Sequence, residues 1–150
     1  MHGYARFGAM IATSTVAMLG LMYLNVYRLS HVFFSETRAY MALVMGATMA
    51  IIMLGFMRGM YTNRRMNAGI FGASAVVFAV ALWLVRSQAT VEDVSWMKAM
   101  IPHHSIAILT SERARISDPR VRKLADEIIE SQRNEIAEMK ALLEDLEKKQ

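Results

Sequence analysis

The chain has 150 residues, of which 55% are hydrophobic, with 14 Met, 2 Pro and no Cys. That length suits one soluble domain, but the apolar content points first to membrane spans. The lack of Cys excludes disulfides and cysteine-based zinc sites. Charge is divided along the chain: up to Arg86, seven Arg face the single acid Glu36, and from Ala89 onward ten Lys or Arg face twelve Asp or Glu. The net +4 is therefore carried by the first part, and the second part lacks the basic excess of a nucleic-acid binder.

The uncharged run Phe7 to Tyr27 has the length that crosses a bilayer as a helix. It is long for a signal core and no small-residue cleavage pattern follows, so it is read as retained. Arg28 to Ala39 reads as a polar loop with His31, Glu36 and Arg38, in which Phe33 and Phe34 suit the headgroup zone. Tyr40 to Met57 is a second expected span and Asn67 to Val85 a third, joined by a loop carrying Arg58, Arg64 and Arg65. The expected membrane domain is thus 1–88, with spans near 7–27, 40–57 and 67–85. Arg6, Arg58, Arg64 and Arg65 fall on one side of the bilayer and Arg28, Arg38 and Arg86 on the other. This favours a cytoplasmic N-terminus and an extracytoplasmic C-terminal part, in a plasma or inner membrane.

The second span carries Met41, Met45, Met49, Met53 and Met57 at steps of four, which line one slowly drifting helix face. Beside them run Ala42, Gly46 and Ala50, a small-residue spacing that lets membrane helices approach closely. Thioethers in a row could serve a soft cation such as Cu(I). Flexible packing is the favoured reading, because no His or acid within the spans completes a site.

From residue 89 to 150 the composition is that of a soluble helical hairpin. Thr90 with Asp93 resembles a helix start, and Val94, Met97, Ile101, His104 and Ile108 recur at helical spacing. Pro102 removes the hydrogen bond to the carbonyl of Lys98 and is expected to kink one continuous helix rather than to begin a new one. Asp118 is a good N-cap and Pro119 a good first residue for a second helix. Its apolar face carries Val121, Ala125, Ile128, Ile129, Gln132, Ile136, Met139, Leu143 and Leu146.

An antiparallel hairpin turning near residues 117–118 places His104 near Gln132, Met100 near Glu135 and Met97 near Met139, within about a turn. Two readings follow. In the first, His103 or His104 joins Met100, with Met139 or Glu135, to bind a metal. Imidazole with thioether suits copper, and the carboxylate widens the choice to zinc or iron. In the second, His104 pairs with Gln132 or Glu135 in a structural network while His103 faces water, because neighbouring helix residues diverge by about 100°.

The stretch from Asp93 to about Leu146 resembles the domain-of-unknown-function 305 family. The matching residues are Asp93, Trp96, Met100-Ile101-Pro102-His103-His104 and Ala107, then Asp118-Pro119-Arg120-Val121, Leu124-Ala125, Ile128, Gln132, Glu135-Ile136 and Met139. The resemblance implies a ferritin-like helical bundle. Longer members hold the hairpin twice, so one copy implies a homodimer that completes four helices. It also implies copper binding or tolerance through Met100, His103, His104 and Met139. Where the family often has a second Met six residues after the His pair, this chain has Thr110.

The expected protein is therefore all-α, with three transmembrane helices and an antiparallel hairpin that dimerises into a ferritin-like four-helix bundle. The expected function is membrane-anchored metal binding, copper preferred, in tolerance, storage or delivery. The alternative is a dimerisation or docking module with a structural network that includes Gln132 and Asp93. No nucleophile–base pair, phosphate loop or complete catalytic metal set is visible, so no enzyme activity is expected. The expected partners are the lipid bilayer and a second copy, not nucleic acid.

Overall fold

The computed structural model describes residues 2–149, and all its regular structure is helical. Five α-helices run in the order α1 (His2–Leu21), α2 (Glu36–Phe56), α3 (Arg64–Ser87), α4 (Asp93–Arg113) and α5 (Pro119–Lys148), with a 3-10 turn at Leu29–His31. The chain divides into two compact units, Met1–Met22 with Thr37–Thr90, and Tyr23–Glu36 with Val91–Gln150.

The first unit holds α1, α2 and α3. Phe7, Ala50, Leu54 and Tyr61 form its buried cluster, with Met53, Met57, Ile70 and Phe71 packed against it. Tyr4 Oη donates to Asn67 Oδ1 at 2.8 Å, and Asn67 Nδ2 donates to the Tyr61 carbonyl at 2.7 Å, which ties α1 and α3 to the loop that follows α2. Ala42, Gly46 and Ala50 are all buried, and a Cβ at Gly46 would collide with the Thr15 side chain. The small-residue spacing therefore allows α1 to lie close against α2, as expected of such a stripe. Met53 and Met57 are half-buried packing residues, whereas Met41 is exposed.

Among the described residues two helices, α2 and α3, are long and apolar enough to cross a membrane. The expectation of three spans is corrected here. The first helix ends at Leu21, well short of Tyr27, and it includes Arg6 and the polar run Thr13-Ser14-Thr15, which lowers its apolar character. The other two are longer than expected, because α2 begins at Glu36 and α3 at Arg64. Asn63 caps α3 through its side chain, which accepts from Met66 N–H at 3.1 Å. Gln88 closes the helix in the left-handed region, φ 52°.

The second unit is the α4–α5 hairpin together with the segment Tyr23–Glu36. Its core is Met97, Ile101, Ile108, Ile136, Met139 and Leu143, and Tyr27, Phe33, Val94, Met100, Ile129 and Leu146 pack around it. The helix passes through Pro102 without a break, and that residue is buried. Asp118 caps α5 as expected, accepting from Arg120 N–H at 2.8 Å, with Pro119 in the first turn. The start of α4 differs: Glu92 is the N-cap residue without a side-chain bond, and Thr90 Oγ1 lies 2.8 Å from Tyr40 Oη instead. Phe33 packs on the hairpin core.

Candidate functional site

The hairpin brings its two polar stretches together. His104 Nδ1 lies 2.8 Å from Glu135 Oε2. The approach is short but off the N–H direction, since Nδ1 makes no well-aligned hydrogen bond, so the contact is chiefly electrostatic. The same carboxylate accepts from Ser131 Oγ at 2.7 Å and from Gln132 Nε2 at 3.3 Å. Ser131 and Gln132 sit one turn before Glu135 on α5, where helical spacing puts them beside it. The expected partners of His104 were thus both present, with Glu135 in contact with the ring and Gln132 behind it.

Burial holds the His104 imidazole below the ordinary histidine range; the Glu135 charge pulls it upward and His103 adds to the lowering. His103 is exposed, and its ring centroid is 6.0 Å from that of His104 with the planes tilted by 61°. The two imidazoles thus occupy different surroundings, as the 100° step on a helix requires. Met100 is half-buried against the cluster that holds Met97 and Met139. Asp93 is exposed in the first turn of α4, three turns from His104. Among the described residues no three His, Cys, Asp or Glu side chains gather around one point.

A second polar centre lies in the same unit and is not foreseen from spacing. His31 is buried, with Nδ1 2.9 Å from Ser105 Oγ. Ser105 is fully buried and its Oγ also accepts from the Tyr27 backbone N–H at 2.7 Å. Burial first, then the charges of Lys140 and Arg28, hold the His31 imidazole below the ordinary range. The one local hint is that Ser105 directly follows the His pair, one residue from His104, on a helix face that must be buried.

The family model described as "Domain of unknown function (DUF305)" matches residues 92–150. "Uncharacterized protein L153" of Acanthamoeba polyphaga mimivirus is 36% identical over 104 residues, covering 65% of this chain and 68% of that relative. The chain belongs to the DUF305 family. The matched family segment begins one residue before α4 and contains the whole hairpin. The viral match is longer than that segment and therefore takes in chain before residue 92 as well. No solved structure matches.

Proposed function

We propose that this DUF305 protein is a membrane-anchored metal-binding protein, copper preferred, that acts in metal tolerance, storage or delivery rather than in catalysis. The observation that carries the reading is the His104–Glu135 contact. A carboxylate charge beside Nδ1 favours a proton on that nitrogen and raises the basicity of the ring, leaving Nε2 as the donor. Met100 lies one turn before His104, and the Met97 and Met139 thioethers pack in the adjoining core. Imidazole with thioether donors is a soft set that favours copper over a hard cation. His103, one residue away and exposed, is placed to deliver or exchange the ion.

Anchoring follows from α2 and α3 as two crossings. An even number of crossings returns the chain to one side, which agrees with Tyr23–Glu36 and the hairpin forming one unit. Arg58, Arg64 and Arg65 border the loop at the other end, and Arg6 adjoins Phe7, which packs in a cluster with Tyr61. That concentration favours a cytoplasmic loop and an extracytoplasmic hairpin.

A second reading, a dimerisation or docking module, is supported by exposed apolar side chains on the hairpin. Trp96 is 50% exposed, and Val121, Leu124, Ile128 and Leu142 on α5 are also exposed. Pairing with a second copy would cover them and complete a ferritin-like four-helix bundle. The deciding experiment is titration of the full chain in detergent with Cu(I) and Cu(II), against a His103→Ala/His104→Ala double variant. Loss of binding in the variant supports the metal reading. Equal binding, or none in either protein, leaves the dimer module, which analytical ultracentrifugation then checks.

A further inference from the structure

Tyr27, Arg28 and His31 from the Tyr23–Glu36 segment meet Ile108 of α4 and Arg133, Ile136, Ala137 and Lys140 of α5 around a cavity of about 270 Å³. Three cations border this one opening. Arg133 reaches Glu112 at 3.4 Å, and Tyr27 Oη donates to the same carboxylate at 3.3 Å. Among the described residues Arg28 and Lys140 have no carboxylate partner. Arg28 lies over the Tyr27 ring, 5.7 Å from its centroid. Lys140 has Glu144 one turn later on α5, but Glu144 is taken by Lys148 at 2.8 Å. Lys140 is moreover half-buried.

The floor between these charges is apolar. Arg133 and Lys140 are two helical turns apart, about 10 Å along the axis, and Ile136 and Ala137 lie between them. The buried His31 ring lines the same cavity, and its Nδ1 lies 2.9 Å from Ser105 Oγ. With the Ser105 hydroxyl donating to Nδ1, the ring carries its own proton on Nε2 and can donate it to an anion.

We propose that this cavity is a binding site for a phosphoryl anion carried on an apolar or amphiphilic body, held by Arg28, Lys140 and Arg133. The charged groups facing it are those three cations and Glu112, so the opening keeps a positive excess with His31 neutral. Guanidinium and ammonium donors to a phosphoryl oxygen form charge-assisted hydrogen bonds, roughly twice as strong as neutral ones. The site shares no residue with the His104–Glu135 centre, so it stands whether or not that centre binds metal. Such an anion has two sources, a phospholipid headgroup or a soluble phosphate ester. The lipid is favoured because His31 is only five residues before α2, a helix able to cross a bilayer.

The test uses the full chain in neutral detergent and in nanodiscs of phosphatidylcholine with or without 20% phosphatidylglycerol, on the order of common anionic-lipid contents. Binding is read from the His31 imidazole NMR shifts and from retention of phosphatidylglycerol after delipidation. Lys140→Gln and Arg28→Gln should each weaken binding about tenfold or more, while Lys148→Gln, whose lysine is already paired, should not. Arg28 is exposed in a loop, so its variant keeps the test open should the Lys140 variant unfold. Phosphatidylglycerol shifting His31 at concentrations where inorganic phosphate does not assigns a lipid site; phosphate or glycerol phosphate acting alone assigns a soluble ester. No shift with any of these probes overturns the proposal, as does an equal loss in Lys148→Gln, which would mark non-specific charge attraction.

Discussion

His31 Nδ1 stands 2.9 Å from the hydroxyl of Ser105, a residue with no exposure to solvent. That one hydroxyl serves two groups of the Tyr23–Glu36 segment, the imidazole and the Tyr27 backbone N–H. It fastens the segment to α4 where Tyr27 and Phe33 pack on the hairpin core. Replacing Ser105 by Ala strands both groups, and each unmet buried polar group costs about 1–3 kcal/mol. Ser105→Ala should therefore lower the denaturation midpoint of the full chain clearly. A midpoint equal to that of the wild type would mean that water replaces the hydroxyl without loss.

Both His31 and His104 are held below the ordinary histidine range, mainly by burial. The unfolded chain therefore takes up protons on these residues at a pH where the folded chain does not. Stability contributed by the neutral rings is present above the unfolded value of about 6.5 and declines as pH falls through it toward the folded values. Thermal midpoints measured from pH 7.5 to 5 should fall. His31→Gln should flatten that slope, and a slope unchanged in the variant would remove His31 as a contributor.

Within the first unit, Gly46 admits the Thr15 side chain, whose Oγ1 also donates to the Ile11 carbonyl at 2.8 Å. Gly46→Ala forces Thr15 to give up that position, and overpacking of this kind costs about 1–3 kcal/mol. Thr15→Ala in the same chain removes the clashing hydroxyl and should recover most of the loss. The double-mutant cycle in detergent should thus show coupling of the order expected for residues in contact. Strictly additive losses would contradict the close approach.

Where periodicity governed the outcome, the residues were readable in advance. Met97, Ile101 and Ile108 are buried on one face of α4, and Asp118 with Pro119 opens α5. Hairpin arithmetic put His104 level with Gln132, and the ring meets Glu135, one turn further along α5, to which Gln132 donates. The first of the three expected spans failed because a run of uncharged residues was extended past Leu21, although Thr13, Ser14 and Thr15 already lowered its apolar character. His31 escaped for a different reason. Its partner is 74 residues away, on an element with its own periodic pattern, and nothing local in the Arg28 to Ala39 loop distinguishes a buried histidine from a solvated one. Val121 and Ile128, on the expected apolar face of α5, are exposed in the single chain.

The Glu135 carboxylate offers the sharpest separation between a ligand centre and a structural network. It approaches His104 at 2.8 Å while accepting from Ser131 and Gln132. Glu135→Gln keeps the shape and removes the charge that pulls the His104 imidazole upward. The His104 value should fall further in the variant, which a proton NMR titration reads directly. If His104 is a copper ligand, the same substitution should also weaken Cu(I) binding by roughly 10- to 100-fold, as loss of an orienting carboxylate does at other histidine sites. A variant with the lowered imidazole value and unchanged copper affinity would leave Glu135 a structural partner of His104 and place the copper donors elsewhere, on the exposed His103 and the thioethers.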